Sequence, residues 1–303
     1  MIEVTPLRHR DLPAVTELFN QATSVLPYRW AVDPQSFRDL VLLNDAAPDA
    51  ALAVSPEGWL VALQGEHTVG FAHCTFGRLA TDDPDRRRGF LRSLFVLPRA
   101  PSETATSLLA AADAYFRAQS VERVVAFDIR TGYPCCLAGR GVLDGSQMDV
   151  MTALGAAGYK FSQRWQLYER MLTGYVPEQH PQVPSLVLKL EEAAGILPTE
   201  PAGFQLAVTN RAESVAGLEC RFLPVVSQGT GVPTASLHHL SVTSEYRHLG
   251  VGSWLLLRCL NELATRGARR LVVDINHEDE AAQGLMLRFG FEELDLSGYS
   301  YGK

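Results

Sequence analysis

The sequence predicts an α/β protein assembled from two copies of one sheet-and-helix fold, and three observations predict it. Apolar runs of strand length alternate with apolar residues at helical spacing along the whole chain. One stretch, Ser236–Arg266 (SLHHLSVTSEYRHLGVGSWLLLRCLNELATR), reads as strand, glycine turn and amphipathic helix. Placing Leu94-Phe95-Val96 on Leu240-Ser241-Val242 then aligns the two halves at an offset of 146 and carries Leu109 onto Leu255 without a gap.

In chain order, Ile2–Leu7 is a strand, and Asp11–Ala22 a helix with Asp11 as cap and Pro13 in its first turn. Pro34–Leu43 is a second helix. Trp59–Gln64 and Thr68–Phe76 form a hairpin turned by Gly65-Glu66-His67. Gly89–Leu97 is a strand, Glu103–Gln119 an alanine-rich helix and Val121–Asp128 a buried strand. Met148–Ala157 is a helix closed by Gly158-Tyr159, and Arg164–Leu172 a further strand.

The stretch 173–204 is proline-rich at both ends and reads as a linker with a short helix, Ser185–Ala194. This divides the chain into a first domain (1–174), a linker (175–200) and a second domain (201–303). The second copy resumes with Phe204–Val208 and Val215–Leu223 as a hairpin, without counterparts of the first strand and one leading helix. After Ser236–Val242 comes a helix with Leu255, Leu256, Cys259, Leu260 and Leu263 on one side. Arg269–Ile275 is a central strand. Glu278–Phe289 is a helix with Ala282, Leu285, Met286 and Phe289 on one side, ended by Gly290 as C-cap.

A chain of 303 residues is ample for two cores, and 47% hydrophobic with 20% charged residues is an ordinary globular composition. The net charge of −7 argues against nucleic acid or an anionic membrane as partner. No apolar run is long enough to span a bilayer, and the N-terminal residues lack a signal-peptide core. Five cysteines (Cys74, Cys135, Cys136, Cys220, Cys259) show no metal-ligand spacing. The expectation is a cytoplasmic protein without a metal; a homodimer is compatible with the sequence.

Chemistry concentrates at Arg247-His248-Leu249-Gly250-Val251-Gly252. Two glycines at a helix mouth let backbone approach a ligand closely, and the first-turn N–H groups and the helix dipole favour an anion. Neither the dinucleotide-binding fingerprint nor the P-loop is present, since nothing after Gly252 supplies the third glycine or the lysine. The stretch resembles the acyl-CoA-binding segment of the GNAT superfamily of N-acyltransferases. That pattern is a strand ending in apolar-x-Val, a few polar residues, then [RQ]-x-x-G-x-[GA] opening a helix. Downstream, Ala282 and Gly290-Phe291 match the family, whereas Met286 stands where the family carries a tyrosine.

The resemblance implies two tandem GNAT-like domains, each a mixed, mostly antiparallel sheet with helices on both faces. It implies an N-acyltransferase using an acyl-CoA, acetyl-CoA in the first instance, with a primary amine on a small molecule or peptide as acceptor. The cofactor would lie on Leu240, Ser241, Val242, Arg247, His248, Leu249, Gly250, Val251, Gly252 and Ser253, near Asp279 and Met286. In the first copy Pro101 replaces the arginine, Thr104 and Thr106 replace the glycines, and Glu103 brings a negative charge, so only the second copy is expected to bind acyl-CoA.

Amine acylation needs a base, because a free alkyl amine is protonated near neutral pH. Strand alternation places Ser236, His238 and Leu240 on one face and Leu237, His239 and Ser241 on the other. In several family members a glutamate or a His-x-His pair occupies the Ser236 and His238 positions. His238 is the first candidate for a water-relayed base, although either histidine of the His238-His239 pair can equally be a packed core residue. Glu219 on the neighbouring strand is the runner-up. Met286 cannot protonate the departing thiolate; Tyr299 and Tyr301 are alternative acids, and unassisted departure is chemically acceptable. The same residue keeps open a non-catalytic acyl-CoA-binding regulatory or structural protein. The insertion Arg130–Gly145 reads as a pocket-shaping loop or a surface excursion, and Asp82–Arg88 as a solvated loop whose charges pair among themselves ahead of the alternative, an Arg86-Arg87-Arg88 clamp for an acidic substrate.

Overall fold

The structure, a computed structural model, describes residues 1–44, 46–47, 50–79, 87–193 and 203–303. The chain forms two compact units, Met1–Trp165 with Leu296–Lys303, and Gln166–Asp295. In chain order the elements are β1 (Ile2–Pro6), α1 (Leu12–Ala22), α2 (Pro34–Phe37), β2 (Ala46–Ala47), β3 (Ala50–Ala53), β4 (Trp59–Gln64), β5 (His67–Leu79), β6 (Arg88–Val96), α3 (Glu103–Ala118), β7 (Arg123–Ala126), β8 (Leu143–Asp144), α4 (Met148–Ala156) and β9 (Lys160–Met171). Then come β10 (Leu186–Ala193), β11 (Gly203–Asn210), β12 (Glu213–Phe222), α5 (Pro224–Thr230), β13 (Thr234–Val242), α6 (Val251–Thr265), β14 (Arg270–Asn276), α7 (Glu280–Arg288) and β15 (Glu292–Gly302).

In the first unit the strand order is β1-β4-β5-β6-β7-β15. β1–β4, β4–β5, β5–β6 and β7–β15 pair antiparallel, and β6 pairs in parallel with β7, to which α3 joins it. α3 and α4 cover one face through Leu108, Leu109, Ala112, Phe116 and Leu154. On the other face Phe19 of α1 packs edge-on against Phe37 and Phe95. The second unit repeats the plan with order β10-β11-β12-β13-β14-β9, again antiparallel from β10 to β13 and parallel from β13 to β14 through α6. Leu255, Leu256, Cys259, Leu260 and Leu263 of α6 are at most 1% exposed and pack on β12 and β13. At about 1.5–3 kcal/mol per buried leucine, this stripe is what holds the helix mouth in place.

Two expectations about the second copy are corrected. The helix expected over Ser185–Ala194 is strand β10, paired antiparallel with β11 from Leu186↔Asn210 to Ala193↔Gly203. Leu186 and Leu188 reach the core while Val187 and Lys189 face out, which is the period of two a strand requires. β10 occupies the place β1 has in the first unit, so the second copy does have its first strand. What differs is the connection. Residues 7–58 with α1 and α2 join β1 to β4, whereas only 194–202, outside the described residues, join β10 to β11.

The gapless alignment into the helix is also corrected. Helices α3 and α6 match in burial at an offset of 147, pairing Thr104 with Val251, Leu108 with Leu255, Leu109 with Leu256, Ala112 with Cys259 and Phe116 with Leu263. Thr104 is therefore a core residue, 0% exposed, and not a side chain standing over the helix mouth. The loop entering α3 is one residue shorter than the loop entering α6, and only the buried face reveals it.

Candidate functional site

β13 and β14 pair in parallel from Thr234↔Arg270 to Leu237↔Val273, and the ladder ends there. β13 continues five residues to Val242 and β14 three to Asn276. Among the described residues no strand adjoins that side of His238–Val242. Main-chain donors and acceptors left this way need water or a ligand's amides as partners.

At the same point β13 bulges. Its pairing with β12 runs Leu218↔Leu240, Glu219↔His239, then Cys220↔Leu237, so His238 is the inserted residue. This corrects the alternation expected along the strand. Leu237 and Leu240 both contact the same core, because one extra residue shifts the pleat between them. Bulges re-aim side chains, and this one sets His238 and His239 together opposite Glu219. Glu219 and Arg221 form an ion pair at 2.7 Å, His239 Nε2 lies 2.8 Å from Ser241 Oγ, and Ser236, 0% exposed, pairs across the sheet with Arg221. The structure thus brings His238, Ser236 and Glu219 to one stretch of two paired strands.

The turn leading into α6 is entered through two left-handed residues, His248 (φ 63°) and Gly250 (φ 87°), with Gly250 as N-cap. No side chain caps the helix, so its first N–H groups are available to an anion. A Cβ on Gly250 would be strained by its backbone, whereas one on Gly252 would meet only Val242 Cγ2 at 3.4 Å. Arg247 Nε donates to the Val242 carbonyl at 3.0 Å, tying the turn back to the strand end. Leu249 is 48% exposed and Val251 is buried.

Sequence reasoning missed Arg288, at the end of α7, whose Nη2 donates to Ser253 Oγ at 2.6 Å. It brings a guanidinium to the first turn of α6, and only the packing of α7 beside α6 could reveal it. Asp279 is the N-cap of α7 and accepts from the Ala282 N–H at 3.0 Å. Met286 is 2% exposed within the core. Tyr299 and Tyr301 belong to the first unit, where Tyr301 is 6% exposed and Tyr299 packs on the same core. Of the Asp82–Arg88 run, residues 82–86 lie outside the described residues; Arg87 sits 5.9 Å over the Phe76 ring.

The matching place in the first unit is filled by its own chain. The β6–β7 ladder also stops early, at Leu91↔Ala126, and β6 carries a bulge at Arg92, 146 residues before His238. Arg92 is 2% exposed and donates to the Thr131, Gly132 and Asn44 carbonyls while lying 4.8 Å over the Tyr133 ring. Tyr133 OH is 2.8 Å from His73 Nδ1 and 3.0 Å from Ser93 Oγ. Burial, then the Arg92 charge, holds the His73 imidazole well below its ordinary pKa; burial pushes the Tyr133 phenol up. The insertion over 130–145 is thus mostly internal packing, with Thr131, Cys135 and Leu143 at most 1% exposed.

Residues 165–291 match the model of the acetyltransferase (GNAT) family. A GCN5-related N-acetyltransferase from Sphaerobacter thermophilus has a similar structure, with 12% identity, a TM-score of 0.63, and coverage of 100% of this chain and 95% of that one. A tandem GNAT protein from the clavulanic acid biosynthesis pathway is similar at 15% identity and TM-score 0.62, covering 100% and 98%. A glucosamine N-acetyltransferase region of a fungal multi-domain β-N-acetylglucosaminidase gives 14% and 0.67, covering 100% of this chain and 38% of that one. No curated protein matches the chain. The match to the acetyltransferase (GNAT) family model lies within 165–291, and the chain as a whole has the two-domain fold of the tandem GNAT protein. Among the described residues no group of His, Cys, Asp or Glu is placed to hold a metal, and no helix is long and apolar enough to cross a membrane.

Proposed function

We propose that the second unit catalyses transfer of an acyl group, acetyl in the first instance, from coenzyme A to a primary amine, and that the first unit is a degenerate copy. One observation carries this reading: a parallel ladder that ends halfway beside an uncapped, glycine-entered helix. The free side of Leu240–Val242 would hold the pantetheine amides and the thioester carbonyl. The N–H groups around 247–253 would hold the diphosphate, with Arg288 adding positive charge.

The neutral amine attacks the thioester carbon and its proton passes through water to His238 at the bulge. Glu219 supports the imidazolium that forms, from across the strand pair. The tetrahedral intermediate then expels the thiolate, which takes a proton from solvent, since Met286 offers none. His238 is preferred to Glu219 as base because the Glu219 carboxylate is already paired with Arg221.

A second reading, acyl-CoA binding without turnover, rests on Met286. Thiol release from acetyl-CoA, assayed against a panel of amines, separates the two. The proposal expects acceptor-dependent release; coenzyme A affinity with no release under any amine favours the second reading.

A further inference from the structure

Gly250, Trp254 and Arg258 follow one another at four-residue steps and so share one face of α6. Along that face, one to two helical turns below the mouth, lies a cavity of about 360 Å³. Its opposite wall is the segment leading into β10 and the start of that strand, with His180, Pro181, Val183, Leu186 and Leu188. Pro181 comes within 3.9 Å of the place a Cβ on Gly250 would take, so this segment runs from the helix mouth down beside the cavity. It is fixed to the helix. Asn261 accepts from the Val176 N–H and donates to the Val176 carbonyl, both at 2.8 Å. His180 packs against Trp254 with ring centroids 4.9 Å apart.

The wall is mixed in character, as a nucleobase requires. Pro181, Val183, Leu186 and Leu188 supply aliphatic surface, and His180 an exposed ring. Glu178 supplies a carboxylate. Its Oε1 accepts from Asn261 Nδ2 at 2.9 Å and lies 3.5 Å from Arg258 Nη1. Among the described residues Oε2 accepts no hydrogen bond, yet it is not one of the sealed, unpartnered atoms of the interior, so it keeps an open surface. An ionised carboxylate only accepts, so the group that meets it must be a donor. Adenine has flat apolar faces and a 6-amino donor, where guanine or hypoxanthine presents an acceptor oxygen. The volume falls within the roughly 300–1,000 Å³ of small-molecule pockets.

We propose that this cavity holds the adenine of the acyl-CoA, its 6-amino group donating to Glu178 Oε2 and its faces resting on Val183, Leu186 and the His180 ring. The diphosphate then sits at the helix mouth and the ribose spans the turn between Gly250 and Trp254. The inference rests on the acyl-CoA reading above and extends it to residues 178–188, outside the strand–turn–helix motif.

The test is calorimetry on the full chain with three titrants: acetyl-CoA, its hypoxanthine analogue with oxygen in place of the 6-amino group, and S-acetylphosphopantetheine, which lacks the nucleoside. The parent protein should bind acetyl-CoA about tenfold or more tightly than the hypoxanthine analogue, as loss of a hydrogen bond to a charged group implies. Glu178→Gln keeps an acceptor for Asn261 and adds a donor, so that preference should shrink or invert. Val183→Trp fills the cavity and should bring acetyl-CoA affinity down to that of S-acetylphosphopantetheine, whose own binding stays as in the parent. Thermal melts report whether Val183→Trp folds, and the near-isosteric Glu178→Gln keeps the test decisive if it does not. Equal affinity for acetyl-CoA and the hypoxanthine analogue, or a preference that Glu178→Gln leaves intact, overturns this inference while the acyl-CoA reading stands. Binding of neither acetyl-CoA nor S-acetylphosphopantetheine overturns both.

Discussion

Replacing Gly252 with aspartate separates ligand binding from folding at the helix mouth. A Cβ there meets only Val242 Cγ2, at the ordinary contact distance of 3.4 Å, and Gly252 has no left-handed backbone to strain. An acidic residue in the first turn of α6 favours the helix dipole by about 0.3–1 kcal/mol. Removing a helical glycine adds roughly another 0.5–1 kcal/mol. The Gly252→Asp protein should therefore melt no lower than the parent. If a diphosphate sits on the N–H groups around 247–253, the new carboxylate stands beside it. Two unit charges about 6 Å apart repel by roughly 0.7 kcal/mol in water and 2.8 kcal/mol at a protein-surface dielectric. Acetyl-CoA affinity should thus fall about 3- to 100-fold. Gly252→Ala, which adds the Cβ without the charge, should lose less affinity than Gly252→Asp and show no salt dependence beyond the parent's. Calorimetric titration at low and high salt reads all three proteins, and the difference should shrink with salt. Unchanged acetyl-CoA affinity in a Gly252→Asp protein that melts normally would refute this reasoning.

The other expectations can be stated briefly. His238→Ala should lower turnover at neutral pH about 10²–10⁴-fold and flatten the acidic limb of the pH–rate profile, with acetyl-CoA affinity little changed; an unaltered profile argues for another base. His73 is held neutral in the folded chain, while the unfolded chain takes up a proton below the ordinary value of 6.5. Stability carried by this residue is present above that pH and is lost as pH falls, with a slope of at most about 1.4 kcal/mol per pH unit. Denaturant titrations of His73→Gln should show that slope reduced, and an identical slope would contradict the assignment. Leu255→Ala, at a 0% exposed position of α6, should cost about 2–5 kcal/mol in urea unfolding; less than about 1 kcal/mol would mean that the helix is not anchored by this stripe.

Much of the architecture was legible from short-range patterns. The alternation of strands and helices, both glycine-closed helices and the strand–turn–helix of the second unit depend on residues a few positions apart, which sequence displays directly. The errors share a different cause. Leu186, Leu188 and Leu190 satisfy a strand as well as a short helix, and pairing with β11 decides between them. The bulge at His238 has no sequence marker, yet it moves every later residue of β13 to the opposite face. The missing residue in the loop before α3 became visible only through which helix positions are buried. Arg288 and the plug formed by Arg92 and Tyr133 are contacts between segments distant in sequence, and no local pattern predicts such contacts.

A structure determined with bound acetyl-CoA tests the central claim most directly. The predicted result is one molecule per chain, its pantetheine arm along the unpaired side of Leu240–Val242 and its diphosphate against the main-chain N–H groups of 247–253. Coenzyme density elsewhere, or a second molecule in the first unit beside Arg92, would contradict it.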